Sequence, residues 1–168
     1  MTGTVDQPAI HPALFVSSRM AVHKDWIDYN DHMNLAYYHL FFDRCCDEFV
    51  PLIGCGPDYR KRTGHTIFTV DARVRYRREL NLGDTVYAVL QLLDFDSKRV
   101  HLALSLFHED GWLSATSELL WLHIDQRGPK AAAFPADVLE KIHSFRRDHA
   151  QSASPDWIGE NVAGTLFD

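Results

Sequence analysis

The order of two apolar patterns constrains this chain most: a helical stripe comes first, and four strand-like segments follow it. Apolar residues recur from Tyr38 to Ile53 at the spacing i, i+3, i+4, i+7, which predicts one long helix with a buried face. The later segments alternate in apolar residues and are separated by Gly, Asp, Asn and Ser, which predicts an antiparallel meander. These segments cover residues 66–77, 85–94, 99–108 and 112–124.

The remaining elements complete an α+β layout. Residues 14–24 read as a first strand, residues 55–65 as a loop, and residues 135–150 as a short amphipathic helix. We therefore expect one long helix across a curved antiparallel sheet of about five strands, plus a short C-terminal helix. The composition also predicts a main domain over residues 1–128, with a C-terminal helix and loose tail over residues 129–168.

The predicted layout leaves surface uncovered. A single helix covers only one face of such a sheet, so the other face or an edge strand needs a partner. We expect a homodimer or a dimer of dimers.

The overall composition argues against several functional classes. The chain has 168 residues and a net charge of −6, which disfavours general binding to nucleic acid or to membrane surfaces. Its apolar stretches are far shorter than the roughly 20 residues that span a bilayer. Its N-terminus lacks the pattern of a signal peptide, so we expect a cytoplasmic protein.

The cysteines and histidines show no metal-binding pattern. Cys45, Cys46 and Cys55 form no CxxC pair, and the first two lie on the apolar stripe of the helix. The ten histidines include no HExxH motif and no pairing with cysteine. We therefore expect neither a metal nor another cofactor.

A polar segment, DWIDYNDHMN, leads directly into the apolar helix. Asn34 is suited to cap the helix, because its side chain accepts from N–H groups of the first turn. An ionised Asp28 beside that helix start is suited to act as a general base on water, or to attack a carbonyl itself. The helix N–H groups and dipole would stabilise the oxyanion. The same residues also suit an ordinary turn with Asx hydrogen bonds, and the spacing leaves both alternatives open.

The segments WIDYNDHMNLAYY and HLFFDRCCDEF resemble the hotdog-fold acyl-CoA thioesterases of the 4-hydroxybenzoyl-CoA thioesterase type. RVRYRRELNLGD is similar to their second strand and turn, and SATSELLWLHID to their last strand, so the resemblance covers about residues 14–125. It implies a hotdog fold and an acyl-CoA substrate. It also implies that Asp28 is the catalytic aspartate, and that backbone N–H groups of Asn34 and Leu35 polarise the carbonyl.

Two features depart from that family. Asp31 stands where the family usually has glycine, and it adds a second negative charge near Asp28. Asp tolerates the left-handed conformation better than most residues do. The alternative catalytic acid of the family, on the central helix, has no clear counterpart, because Asp43, Asp47 and Glu48 fall on the predicted solvated face.

Within the family, WIDYNDHMN, GHTIFTVDARVR and ATSELLWLHID resemble the thioesterases encoded with or fused to L-carnitine dehydrogenase, which are taken to hydrolyse betainyl-CoA. This resemblance implies a quaternary ammonium, which aromatic faces or a carboxylate would bind. Asp71 is the candidate counter-charge, although a strand face shared with Thr69 and two arginines equally suits an ion pair. The predicted substrate-binding residues are Trp26, Tyr29, His32, Tyr37, His65, Phe68, Asp71 and Trp121.

The polyanionic CoA requires a local basic patch in an acidic chain. One candidate cluster lies at residues 60–62, after the helix, and a second lies on the second strand. Ordinary solvated surface is the alternative for both. The predicted CoA-binding residues are Arg73, Arg75, Arg77 and Arg78.

Two other functions are compatible with the sequence. A hotdog domain can bind acyl-CoA without turning it over, because a fold alone does not give activity. The DYNDH segment is also similar to the Asp-x-Asn…His motif of hotdog enoyl-CoA hydratases, but it is one residue short of that spacing and precedes the long helix.

Overall fold

The computed structural model describes residues 9–159, which begin with two short strands, β1 (Phe15–Val16) and β2 (Met20–Ala21). The sequence predicted one continuous strand here, but Ser17 interrupts it. The Oγ atom of Ser17 accepts the backbone N–H of Ala88 at 2.9 Å, where a regular strand would offer a carbonyl. The side chain therefore replaces one rung of the backbone ladder.

The long helix, α1 (Ala36–Phe49), packs its apolar face on the sheet. Its buried side chains are Tyr38, Phe41, Phe42, Cys45, Cys46 and Phe49. The prediction that the helix carries the stripe to Ile53 is wrong at this end. Pro51 has no N–H to continue the helical ladder, and Leu52 lies beyond the helix with 47% of its surface exposed.

A second helix, α2 (Pro57–Thr63), occupies the segment that the sequence analysis assigned to a loop, so that assignment is wrong. Pro57 at the first helical position and Gly64 at the C-cap, with φ of 71°, are the usual signals for helix ends. The buried Tyr59 anchors this short helix to the core.

Four long strands follow, within one or two residues of the predicted bounds, which confirms the strand prediction. They are β3 (His65–Tyr76), β4 (Thr85–Phe95), β5 (Arg99–His108) and β6 (Leu113–Asp125). Each of them pairs antiparallel with its neighbours, and the sheet order is β1-β4-β5-β6-β3.

The predicted meander of four strands is therefore wrong for its first member. Strand β3 pairs with β6, and the connection over residues 77–84 crosses from β3, at one edge of the sheet, past β6 and β5 to β4. Leu80, in that connection, is fully buried and its carbonyl accepts the N–H of Met33 at 2.8 Å. Turn residues in this segment thus close the end of the barrel-like core instead of joining paired strands.

The C-terminal part adds a two-residue strand, β7 (Lys130–Ala131), on β6 and the predicted helix, α3 (Ala136–His149). The prediction of a loose tail is wrong for residues 151–159, because Trp157 is buried against Leu93 and Ala103 on the outer face of the sheet, which is the face opposite α1. The rest of the predicted tail, residues 160–168, lies outside the described residues. The domain division at residues 128 and 129 stays a prediction.

Strand β3 forms one edge of the sheet. Among residues 9–159 no strand pairs with its outer side, and Phe68 and Val70 are each about half exposed there. In the described part of the chain, no helix is long and apolar enough to cross a membrane. The cytoplasmic location stays a prediction.

Candidate active site

The polar segment forms a closed loop between a short 3-10 turn (Lys24–Trp26) and α1. An isolated β-bridge joins Ile27 to Met33 across the base of the loop. Within it, the N–H of Asp28 donates to the carbonyl of His32 at 3.0 Å, and the N–H of Asp31 donates back to the carbonyl of Asp28 at 3.1 Å. These bonds hold Asp28 at a defined place beside the start of α1.

Asp31 adopts the left-handed conformation with φ of 63°, and it is the only non-glycine residue with positive φ among residues 9–159. This conformation is the one that glycine readily supplies, and Asp is among the few other residues that adopt it at modest cost. The loop therefore keeps a left-handed residue at the position where the sequence departs from the glycine pattern.

The carboxylate of Asp28 is half-buried and takes part in the turn. Its Oδ1 atom accepts the N–H of Asn30 at 2.8 Å, which is the Asx hydrogen bond that the sequence suggested as an alternative. Its Oδ2 atom accepts no hydrogen bond from any residue of the described chain. One oxygen thus fixes the side chain, and the other is available to water or substrate.

The start of α1 offers one backbone donor. Asn34 accepts the N–H of Ala36 at its Oδ1 atom, 3.0 Å away, as expected of a capping side chain. The N–H of Asn34, predicted to polarise a carbonyl, already donates to the carbonyl of Trp26 at 2.8 Å, so that prediction needs correction. The N–H of Leu35 meets no acceptor among residues 9–159.

The predicted aromatic residues fall into separate places. Trp26 and Tyr37 stack on each other with ring centroids 5.1 Å apart, beside the loop, and the guanidinium of Arg44 lies 5.6 Å from the ring centroid of Trp26. Tyr29 is 94% exposed at the loop tip, and the exposed His32 contributes its carbonyl to the loop. The indole of Trp26, which was predicted to bind a substrate cation, therefore already interacts with Arg44.

The other predicted aromatic residues lie away from the loop within one chain. Tyr76, at the end of β3, contacts Tyr38 of α1 with ring centroids 5.0 Å apart. His65, at the start of β3, lies roughly 35 Å from that end, given the rise of an extended strand. His65 stacks on His123, Phe68 is exposed on the edge strand, and Trp121 is buried beneath Phe49. A single chain does not bring these side chains to Asp28.

Asp71 lies on the outer face of the sheet. A β-bulge between Thr69 and Asp71 shifts the register against β6, so the prediction that these two residues share a face is wrong. Thr69 pairs with the buried Trp121, whereas Asp71 pairs with Leu120. Asp71 lines a cavity of about 590 Å³ that contains none of the residues of the Asp28 loop.

That outer cavity contains a network of paired charges. Arg73 forms an ion pair with Glu118, and the Nε2 atom of His101 lies 2.9 Å from the other oxygen of Glu118. The N–H of Gly159 donates to Glu118 at 3.1 Å. Burial of Glu118 opposes its ionisation, yet the hydrogen bonds from Gly159 and His101 and the charge of Arg73 together lower its pKa below the usual value.

The four predicted CoA-binding arginines lie in two different places, two on β3 and two in the connection that follows it. Arg73 is committed to Glu118, and Arg75 lies on the same strand two residues further on. Arg77 and Arg78 lie in the connection between β3 and β4. The backbone N–H of each donates to the carbonyl of Ser114. This connection also supplies the carbonyl that binds Met33, so the last two arginines flank the Asp28 loop.

A second cavity, of about 520 Å³, opens between α1 and β3. Asp43 and Asp47 are exposed, as predicted, but they also line this cavity together with Cys46 and Trp121. Partial burial, and then the charge of Asp43, raise the pKa of Asp47. The sequence could not indicate this, because the position of β3 beside α1 follows only from its pairing with β6.

Comparison with known proteins identifies the family. The model of the thioesterase-like superfamily matches residues 22–142. The chain belongs to that superfamily. In agreement with this, a structure of a Staphylococcus aureus hypothetical protein in complex with CoA is similar to this thioesterase-like chain, with 31% identity and a TM-score of 0.83, covering 89% of this chain and 94% of the other. The fold is the hotdog fold that the sequence predicted.

Two curated relatives of this thioesterase-like protein have informative names. The betainyl-CoA thioesterase of Pseudomonas aeruginosa is 32% identical over 139 residues, which are 82% of this chain and 87% of that protein. The L-carnitine dehydrogenase/betainyl-CoA thioesterase of Rhizobium meliloti is 34% identical over 143 residues, which are 84% of this chain. This chain spans only 28% of the length of the Rhizobium protein.

No metal centre is evident in the described residues: within 9–159, no three His, Cys, Asp or Glu side chains are grouped so as to hold a metal ion.

Proposed function

We propose that this hotdog protein hydrolyses an acyl-CoA thioester at the Asp28 loop. One observation carries the proposal: a carboxylate oxygen of Asp28 and the backbone N–H of Leu35 both lack protein partners among residues 9–159, and one closed loop holds them together. A carboxylate beside an unpaired N–H at a helix start is suited to attack on a carbonyl and to stabilisation of the resulting oxyanion.

The proposed reaction has two versions, and both use the N–H of Leu35 to polarise the thioester carbonyl. In both, the thioester oxygen accepts the N–H of Leu35, and negative charge that develops on it is stabilised there. In the first, Asp28 takes a proton from water, the hydroxide adds to the carbonyl, and the tetrahedral intermediate expels CoA thiolate, which takes up the proton and leaves Asp28 ionised again. In the second, Asp28 adds directly, CoA thiolate leaves, and water hydrolyses the mixed anhydride to free acid and the regenerated carboxylate.

We propose that a homodimer completes this site. The exposed run over residues 68–72 lies at the middle of β3, and an uncovered edge of this kind favours pairing with another strand. Antiparallel pairing of two β3 strands about a two-fold axis brings the His65 end of one chain to the Tyr76 end of its partner. Because Tyr76 contacts α1 near its start, His65 of one protomer would then approach the helix start of the other.

For the substrate, we propose betainyl-CoA, and the named relatives support this choice. The carboxylates of Asp43 and Asp47 and the ring of Trp121, which line the cavity between α1 and β3, are the groups suited to a quaternary ammonium. Asp71 is not part of this proposal, because it faces the outer cavity.

The first experiment measures thiol release from a panel of acyl-CoAs by the wild type and by Asp28→Asn. The asparagine keeps an oxygen for the 2.8 Å bond from Asn30, so the loop stays folded while the base or nucleophile is lost. We expect kcat to fall by about 10²–10⁴-fold. Tight binding of CoA without hydrolysis of any thioester by the wild type would instead support the binding-module alternative.

The second experiment tests the acyl group with a matched pair of substrates. Betainyl-CoA and 3,3-dimethylbutanoyl-CoA have the same shape and differ only in the charge at the branched atom. Recognition of the cation predicts that kcat/KM favours betainyl-CoA by about tenfold or more. Equal rates would remove the cationic substrate from the proposal and leave the thioesterase activity in place.

A further inference from the structure

An arginine–tryptophan stack lies at the same end of the sheet as the Asp28 loop. The guanidinium carbon of Arg78 is 4.0 Å from the ring centroid of Trp112. The ring of Trp112 is also stacked with His108, with centroids 4.5 Å apart and planes 9° apart. His108 in turn lies 3.7 Å from a carboxylate oxygen of Asp84 and 3.3 Å from one of Asp110. Trp112, which directly precedes β6, is therefore held in place by contacts with both Arg78 and His108.

The backbone of Arg78 is fixed as firmly as its side chain. The N–H groups of Arg77 and Arg78 donate to the carbonyl of Ser114 at 2.8 and 3.0 Å, and the hydroxyl of Ser114 donates to the carbonyl of Arg78 at 2.8 Å. Ser114 is completely buried. Because the fold already orders Arg78, binding of a ligand there costs little further conformational entropy.

The cation of Arg78 has no carboxylate partner among residues 9–159. In the described chain, other arginines are paired: Arg73 with Glu118, and Arg99 with Asp96. A guanidinium that lies over an indole keeps the N–H groups at its edge available, and these suit the oxygens of a phosphate. The stack therefore presents a fixed cation without neutralising it.

The position of Arg78 relates it to the reaction centre. Leu80, two residues further along, accepts the N–H of Met33 at the base of the Asp28 loop. Two residues span at most about 7 Å of extended chain, so the backbone of Arg78 lies beside this base. Because a long pantetheine arm separates the phosphates of CoA from its thioester carbonyl, a cation beside the base of the loop is within reach of a CoA bound with its carbonyl at Leu35.

We propose that Trp112 is a positioning residue that holds the Arg78 guanidinium for a phosphate of the CoA nucleotide end. This inference rests on the proposed acyl-CoA thioesterase function. It assigns CoA recognition to the connection after β3, and not to the arginines on the outer face of the sheet. It also gives a role to Trp112, a residue that the sequence did not mark.

The test compares KM, kcat and the Kd of free CoA in four variants: Arg78→Gln, Arg78→Lys, Trp112→Leu and Trp112→Phe. We expect Arg78→Gln and Trp112→Leu to raise KM and Kd by about fivefold to tenfold, with a much smaller change in kcat. Trp112→Phe should recover most of the affinity, because it keeps an aromatic face, and Arg78→Lys should recover only part. Arg147→Gln, an exposed arginine on α3, is the matched charge control.

Two further comparisons sharpen the result. If Trp112 acts through Arg78, the double variant should be no weaker than Arg78→Gln alone. Dephospho-CoA identifies the phosphate: an effect of Arg78→Gln that disappears with this ligand assigns the 3′-phosphate, and an effect that persists assigns the diphosphate.

Several outcomes would overturn the inference. Unchanged KM and Kd in Arg78→Gln, with an active wild type, would reject it and leave the thioesterase proposal intact. An equal loss of kcat and affinity in Trp112→Leu that Trp112→Phe does not repair would assign Trp112 to stability alone. Because Arg78 is exposed, its variants stay informative even if a Trp112 variant fails to fold. A wild type that neither binds CoA nor hydrolyses thioesters would reject both proposals together.

Discussion

The Asp28 loop and the outer cavity are both polar, but they differ in whether their groups have partners. In the outer cavity, Arg73, His101 and Glu118 bind one another, and Gly159 adds a further hydrogen bond. In the loop there are fewer charges, yet one oxygen of Asp28 and the N–H of Leu35 have no partner in the described chain. The more highly charged of the two regions is thus the one whose groups are already paired with one another.

This difference shows why the number of charged residues is a poor guide to function. Charges that neutralise one another stabilise a fold and hold the segment after α3 in place, while groups left without partners at a rigid helix start remain free to act on a ligand. The variants below test this distinction, in order of decreasing expected effect.

The backbone donor at the helix start can be removed without touching a side-chain function. Leu35→Pro deletes the N–H, and the φ of −53° at this position is compatible with proline. We expect kcat to fall by about 10²–10³-fold with little change in Tm. Leu35→Ala, which keeps the N–H and trims a side chain that is 62% exposed, is the control. Equal activity in the two variants would contradict the role of this N–H.

A buried histidine tests whether the lack of a partner is enough to mark a functional group. In His149, Nδ1 accepts the N–H of Leu92 at 2.8 Å, but Nε2 is buried without a partner in the described chain. Burial lowers the pKa of His149 from 6.5 to about 4, so the neutral form is the one the fold favours. Stability from this group is complete above pH 6.5 and is lost as the pH falls towards 4.

Chemical denaturation between pH 7.5 and 4.5 measures this effect. The wild type should lose unfolding free energy as the pH decreases, and His149→Asn, which cannot take up the proton, should show a flatter profile. The activity of the variant at neutral pH should match its folded fraction. A catalytic defect in fully folded His149→Asn would contradict the claim that this buried histidine contributes to stability and not to turnover.

The outer network should contribute to stability and not to turnover. We expect Glu118→Gln to lower the unfolding free energy by about 1–3 kcal/mol, because Arg73 and His101 lose a charged acceptor. Urea denaturation measures the loss. A variant as stable as the wild type would show that these charges are solvated rather than paired.

Replacing Asp31, the left-handed residue of the loop, by glycine should have the smallest effect on stability and kcat. Asp31→Gly removes a side chain that disfavours φ of 63° but makes the unfolded chain more flexible, so we expect a net change below about 1 kcal/mol and near-normal kcat. Asp31→Val, with a β-branched side chain, should be clearly less stable. Thermal denaturation of the two variants compares them. A large gain in kcat in Asp31→Gly would instead indicate that the charge of Asp31 impairs Asp28.

Much of the fold could be predicted because the strands carry their own pattern. The alternation in β5 and β6 and the stripe of α1 set these elements to within a few residues. Pairing partners have no such local signal, so the sequence predicts a meander in which β3 pairs with β4, whereas residues 77–84 cross the sheet. The short helix α2 was missed although Pro57 and Gly64 mark its ends.

The candidate site could be located from the sequence in part, for the same physical reason. Asp28 and the helix start are neighbours in sequence, so the loop could be recognised from local pattern and family resemblance. The face of Asp71 depends on a bulge at Val70, which no pattern indicates. The bond from the N–H of Asn34 to Trp26 and the stack of Arg78 on Trp112 depend on three-dimensional contacts.

The most direct test of the account compares Asp28→Asn with Glu118→Gln in one thioesterase assay, with rates normalised to folded protein. Both variants remove one negative charge and keep the side-chain shape. The account predicts a fall in kcat of about 10²–10⁴-fold for Asp28→Asn and no change for Glu118→Gln. Equal kcat values in the two variants, or a larger loss in Glu118→Gln, would contradict the assignment of the reaction centre to the Asp28 loop.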